Sequence, residues 1–517
     1  MQEDKESKAE KVRKIPIWLI VLGGLLLVAL ACLATGAFMN AISDSPVLPT
    51  AAARAVVEAL PGLPLGRPTK TPTPLPTHTP MAPQPGGRSA GDPYIPELGN
   101  TGYDVQHYSI QLALDPASDH VEGATSIEAL STITGLSEIS LDFVGFDVGA
   151  VTVNGIAAGF SREGRKLIVA LPELQQANAP FTLVITYRGS PVYEPSPYLR
   201  FVDHLGLHYP DGESIFTIAE PDGARYWFPA NDHPRDKATF RFELLVPAGL
   251  EAVANGELVA ENQAALPNGD LGSLFIWEHN YPMAPYLALV AVGPYERLEG
   301  RSPGGIPLRH YILPEQRDEI LEATNEIGPA LDWMADLFGP YPFETFGYVT
   351  AKVPGGSMES QTMVLLSDNM IGRKTAVHEL AHMWFGNWVS LDTWAEMWRN
   401  EGFATYIQLM WENRQDSEDL ELQMIALNSV VEGNNKQYPL DQPPPEYLFE
   451  LNVYFQGALA AHALRQEIGD EAFFAGLRNY FARYGGGTAS DDQFQSIMEQ
   501  AAGVPLDDFF TAWFPPG

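Results

Sequence analysis

The chain has 517 residues, 45% of them hydrophobic, which is enough for sizeable cores and, at about 150 residues per domain, for about three domains or two large ones with accessories. Asp and Glu number 65 against 31 Lys and Arg, and the resulting net charge of −34 repels phosphate backbones and argues against nucleic-acid binding. Cys32 is the one cysteine, which excludes an intramolecular disulfide and a cysteine-rich metal site.

Residues 1–14 form a short charged tail with Lys5, Lys8, Lys11, Arg13 and Lys14 among its acids. Residues 15–35 are almost wholly apolar, long enough to span about 30 Å of hydrocarbon as one helix, and predict a transmembrane anchor over 15–36. The bases lie at its N-terminal edge. The positive-inside rule therefore expects a cytoplasmic tail, a single pass through the cell membrane and an extracytoplasmic body. A lipoprotein or secreted form is the lesser alternative, since the hydrophobic core of a cleaved signal is usually shorter. Residues 37–97 are rich in Pro, Thr and Gly; Pro72, Pro74, Pro76 and Pro80 deprive the backbone of donors and predict an extended stalk.

Residues 98–305 read as an antiparallel β-domain. Tyr108, Ile110, Leu112 and Leu114 alternate with polar or small residues, as do Phe181, Leu183, Ile185 and Tyr187. Residues 240–244 and 286–292 read as further strands, and Asn154-Gly155 and Asn255-Gly256 as tight turns. Residues 306–517 read as a mixed domain, a small sheet followed by helices. One long helix is expected to end at Gly339-Pro340, then strands over 346–353 and 362–366. Helices are expected over about 373–386, 394–413, 417–431, 451–468, 470–483, 491–501 and 506–513.

The decisive string is His378-Glu379-Leu380-Ala381-His382. Four residues advance a helix by about 400°, so both imidazoles project from nearly one face, one turn apart, as two ligands of one tetrahedral zinc require. Glu379 lies to the side of the pair, within reach of a water but off the metal. Glu401, 19 residues after His382, sits on a second predicted helix that returns against the first and supplies a third ligand, leaving one open position.

These residues resemble the zinc aminopeptidases of family M1, gluzincins with an HExxH motif and a glutamate beyond an 18-residue gap. The likeness spans roughly residues 100–517 and includes Phe338-Gly339-Pro340-Tyr341-Pro342-Phe343 and the run from His378 to Asn387. It implies an antiparallel N-terminal β-domain followed by a thermolysin-like catalytic domain. It implies one Zn2+ per chain on His378, His382 and Glu401, with Glu379 and Tyr454 catalytic. Gly356-Ser357-Met358-Glu359-Ser360 is similar to the family's GxMEN exopeptidase motif, which makes Gly356, Met358 and Glu359 substrate-binding. Glu359 would grip the free α-amine, and Glu220 matches a second amine-binding acid from the β-domain. Ser360, Ile218 and Gln456 depart from the family pattern, the first standing for asparagine and the last for lysine. Asp232 to Ala238 fits a neighbouring family string, in which His233 reads as structural. Asp392 and Glu396 are candidates to orient the ligands.

The implied function is hydrolysis of the N-terminal peptide bond of peptides with a free N-terminus, by Glu-assisted attack of zinc-bound water. The alternatives are a zinc endopeptidase or specialised hydrolase of the same class, favoured by Ser360 and Ile218, and a non-catalytic zinc-binding ectodomain. The large C-terminal helical domain of many relatives is not expected here, so the cleft is expected to be open and the protein monomeric.

Overall fold

The computed structural model describes residues 81–353, 355–433 and 438–514. The predicted tail, the anchor and the stalk up to residue 80 lie outside the described residues. Among those described, no helix is long and apolar enough to cross a membrane.

The end of the predicted stalk, residues 81–97, is instead built into the body. Gln84–Pro85 pairs in parallel with Leu136–Asp142, and Ile95 and Leu98 are fully buried. Asp92 accepts from the amides of Tyr94, Ile95 and Trp394 at 2.8, 3.0 and 3.0 Å and faces His233 Nε2 at 3.2 Å. Proline density masked these apolar anchors in the sequence.

The first domain is a β-structure around an eight-stranded sheet. Strand Tyr103–Asp115 alternates buried and exposed residues, which seats Tyr108, Ile110 and Leu112 in the core. It pairs antiparallel with Ser118–Ser131, which pairs antiparallel with Pro180–Gly189. On its other side Tyr103–Asp115 pairs with Ala238–Pro247 in parallel, so the expected antiparallel sheet is mixed at its centre. Asn154-Gly155, at φ 50° and 77°, forms the predicted tight turn between paired strands. Asn255-Gly256 does not close a hairpin; it carries the chain from Glu251–Ala254 in one sheet to Glu257–Ala265 in another. The strand expected over 286–292 is a turn of 3-10 helix at Pro285–Leu287 and a strand at Val290–Gly293. The Asn255 side chain satisfies the irregular backbone there, donating to Leu287 O at 2.9 Å and accepting from Leu289 N at 2.6 Å.

The expected boundary at residue 305 falls inside the hairpin of Glu296–Arg301 and Pro307–Ile312. That hairpin continues by parallel pairing to Phe346–Ala351 and Val364–Ser367, so the second domain's sheet starts before residue 300. The expected long helix is two, α1 (Arg317–Thr324) and α2 (Ile327–Phe338). At the break the Thr324 hydroxyl donates to Ile320 O at 2.8 Å. Then follow α3 (Arg373–Ala381), α4 (Met397–Glu412), α5 (Ser417–Gly433), α6 (Leu451–Tyr484), α7 (Asp491–Ala502) and α8 (Asp507–Trp513). Within α6, Gly469 at φ 79° and ψ 160° interrupts the helix where the sequence divides it in two.

Candidate metal centre and active site

α3 carries His378 and Glu379, and His382 is its C-terminal cap. α4 lies beside α3 and carries Glu401. α4 and α6 then meet backbone to backbone: a Cβ on Gly402 would lie 2.6 Å from Gly457 Cα, which only glycine tolerates. That contact brings Tyr454, one turn before Gly457, against the site; its ring stacks on His378 with centroids 6.0 Å apart and planes 20° from parallel. Sequence reading had no use for Gly402 or Gly457; small residues facing each other in two buried helices were the available signal.

His378 Nε2 lies 3.2 Å from Glu401 Oε2 and 3.2 Å from His382 Nε2, and His382 Nε2 lies 3.6 Å from Glu401 Oε2. Zinc bonds of 2.0–2.1 Å at tetrahedral angles place ligand atoms about 3.4 Å apart. The three atoms thus fit one zinc ion. His382 Nδ1 donates to Phe385 O at 3.1 Å, which aims Nε2 at the shared point. The charge balance also calls for a cation there. Burial opposes ionisation of Glu401, yet His382 and His378 pull its carboxyl down to about 2. Burial likewise opposes a charge on His382, yet Glu401 and Glu359 raise it to about 10. A metal ion held there would take the place of that imidazole proton.

A second cluster adjoins the first and shares Glu401. One carboxylate oxygen each of Glu220, Glu359 and Glu401 lie within 4.8 Å of one another, all three residues buried. Burial, reinforced by Glu359 and Glu401, pushes Glu220 well above its ordinary range, and burial raises Glu359 to about 7. Glu220 Oε1 and Glu359 Oε1 have no hydrogen-bond partner within the protein. Two buried acceptors left open beside a third carboxylate form an anionic recess suited to a cation.

Both clusters open into a cavity of about 720 Å³. Glu379 and Tyr454 line it, as do Gly356 and Met358. Burial pushes the Glu379 carboxyl and the Tyr454 phenol well up from their ordinary values. Much of the remaining wall is apolar, with Leu199, Phe201, Ile218, Leu427 and Phe449. A Cβ on Gly355 would lie 2.2 Å from the Phe201 ring, so this glycine makes room for the ring in the cavity wall.

All nine predicted site residues therefore converge on one cavity. Asp392 and Glu396 do not orient the metal ligands. Asp392 pairs with Arg235 at 3.2 Å, and Glu396 accepts from Arg399 at 2.5 Å and closes a capping box with Thr393 on the 3-10 turn Trp394–Glu396 that precedes α4. Their acidity was read without knowing these arginine partners. The orienting contact comes from Phe385 O, a backbone atom with no sequence signature. Asn387 was also missed: its Nδ2 donates to Glu359 O at 2.7 Å and fixes the loop that carries Glu359 to the turn after α3.

Comparison with known proteins agrees with this geometry. The family models for the peptidase family M1 domain and the peptidase M1 N-terminal domain match residues 322–513 and 104–287. Aminopeptidase N of Streptomyces lividans is 25% identical over 452 residues, covering 79% of this chain and 50% of that protein. Aminopeptidase M1-B of Oryza sativa is 27% identical over 322 residues, covering 57% and 36%. The chain thus spans about a third to a half of the length of the curated relatives it matches. A crystal structure of an M1 zinc metallopeptidase from Deinococcus radiodurans is 29% identical with a TM-score of 0.76, covering 83% of this chain and 98% of that one. A mutant of that enzyme was solved bound to a Tyr-Ser-Ala substrate.

Proposed function

The chain belongs to peptidase family M1, and on that premise we propose that it is a zinc-dependent aminopeptidase, releasing the first residue of peptides that carry a free N-terminus. The observation that carries this reading is the pair of adjoining clusters, one fitted to a divalent metal and one to an ammonium, with Glu401 in both. An endopeptidase has no use for the second.

His378, His382 and Glu401 would hold the zinc, which when bound would supply Lewis-acid polarisation of a water and of the scissile carbonyl. Glu379 takes the proton of the attacking water and returns it to the departing amine; its raised affinity for a proton suits both steps. The Tyr454 hydroxyl, kept protonated by burial, donates to the oxyanion that develops on the carbonyl. Glu220 and Glu359 accept from the α-ammonium and so place the first peptide bond at Glu379. An acetylated or internal amide would leave both carboxylates buried and unpaired, which excludes such substrates. The apolar wall formed by Ile218, Met358 and Phe449 favours a large uncharged first side chain.

The test is a panel of fluorogenic peptides with Leu, Phe, Lys or Glu first, each free and N-acetylated, assayed with chelator and after zinc is restored. Cleavage of the free peptides only, abolished by the chelator, is expected. Equal cleavage of acetylated peptides would leave the endopeptidase alternative that Ile218 and Ser360 favour.

The apolar residues 15–36 and the basic edge before them support a single-pass anchor with the catalytic body outside the cytoplasm, joined by a stalk. Alkaline carbonate should leave the full chain in the membrane pellet; release into the supernatant would refute the anchor. The body should run as a monomer in light scattering.

A further inference from the structure

The amine receptor is split between domains. Glu220 follows strand Ile215–Ile218 of the β-domain, whereas Glu359 belongs to the loop before Val364–Ser367. A single ammonium satisfies both only if their separation is held to about 0.5 Å. Something must act as the spacer.

Gln361, two residues beyond Glu359, is fully buried and tied by every polar arm but one. Its amide N–H donates to Leu287 O at 3.3 Å, and its carbonyl accepts from Asn255 Nδ2 at 2.7 Å. Its side-chain Nε2 donates to Pro282 O at 3.2 Å and to His279 Nε2 at 2.7 Å. All four partners belong to the β-domain. His279, itself fully buried, turns its Nδ1 to Glu344 Oε1 at 2.9 Å. A carboxylate only accepts, so Nδ1 carries the proton and Nε2 keeps the lone pair that Gln361 needs. From there the path runs to Glu220: Asn255 holds Leu289, Val290 N donates to Thr217 Oγ1 at 3.0 Å, and Thr217 lies three residues before Glu220.

Resting on the aminopeptidase reading, we propose that Gln361, aligned by the His279–Glu344 pair, is a positioning residue that sets the distance between the two amine-binding carboxylates. Asn387 holds the loop from the metal side, and Thr362 Oγ1 adds a direct tie to the β-domain by accepting from Gly256 N at 2.9 Å. Among the described residues, only Gln361 joins the loop that carries Glu359 to the β-domain through a relay whose tautomer a carboxylate fixes.

The test uses the complete zinc-loaded protein. Gln361→Met keeps the side-chain length and deletes the donor; His279→Phe deletes the relay; His279→Gln keeps an acceptor for Gln361. For free-amine peptides, Gln361→Met and His279→Phe should raise KM about tenfold with kcat within about twofold. Binding of a free amino acid, read by calorimetry, should weaken about as much, while zinc stays at one per chain. His279→Gln should recover most of the loss. A variant with a lower Tm but unchanged KM and unchanged amino-acid binding would make the relay merely structural and overturn the proposal. If the first two variants fail to fold, Gln361→Asn, which shortens the donor arm by one methylene, decides: a KM rise of about threefold or more supports positioning and an unchanged KM refutes it. A native protein that cleaves acetylated and free peptides alike defeats the aminopeptidase reading itself. A discriminating native protein whose variants discriminate equally well defeats only the positioning inference.

Discussion

The metal triad and the amine triad share Glu401, yet they are assembled in different ways. His378, His382 and Glu401 come from one helix pair, and their spacing follows from helix pitch and the close packing of α3, α4 and α6. Glu220 and Glu359 come from two domains, and their spacing follows from a buried junction of side-chain amides on backbone carbonyls. A local triad stands or falls with two helices. A split triad is adjustable, because a shift at the junction changes the fit of the ammonium without touching the metal. Binding and chemistry should therefore be separable by mutation.

The largest effect should fall on the metal side without removing the metal. Glu379→Ala is expected to lower kcat roughly 10³-fold while metal analysis still finds one zinc per chain. If the zinc is lost as well, Glu379 belongs to the coordination sphere and metal binding and catalysis are not separable at this residue. Tyr454→Phe removes one hydroxyl beside the same centre and should lower kcat about 10²-fold with little change in KM. On the other side, Glu220→Gln and Glu359→Gln should act mainly on KM, raising it roughly 10- to 100-fold for free-amine peptides. If either instead lowers kcat with KM unchanged, that carboxylate acts in the chemistry and the two triads are one device.

The same division explains what the sequence discloses. The HExxH string and Glu401 are legible because helix geometry turns spacing into direction. The break of α6 at Gly469 is legible because glycine followed by Asp470 is a stop and a start in succession. The split receptor is not legible this way: nothing local to Glu220 or Glu359 marks either as half of a pair, and only the resemblance to family M1 joined them. Gln361, His279 and Asn255 look like ordinary polar residues until the fold sets them side by side. The same holds for residues 81–97, where prolines spoke for a stalk and the burial of Asp92 and Ile95 decided otherwise. A long-range partner, Arg235, also undid the reading of Asp392, whereas Arg399 stands only three residues after Glu396, within local reach.

The smallest expected effect lies where the two triads lean on one another. Lys237, from the β-domain, sends its Nζ to the carbonyls of Asn387 and Trp388 at 2.8 and 3.2 Å, and Asn387 in turn holds Glu359. Loss of hydration on burial lowers this ammonium to about 7 from the ordinary 10.5. Unfolded, the lysine keeps its proton up to about 10.5; folded, it releases it from about 7. Between these values the unfolded chain binds more protons, so this residue makes the fold more stable as pH rises through that window. Below about 7 both states are charged and the cost of burying the ammonium is fully felt. Other groups titrate as well, so the useful quantity is the native Tm minus that of Lys237→Met, followed from pH 7 to 9.5. That difference should grow by about one to two degrees per pH unit. A flat difference would mean that the two carbonyls alone keep the ammonium charged, and that the junction joining the amine loop to the metal helix is held by a cation rather than by a neutral amine.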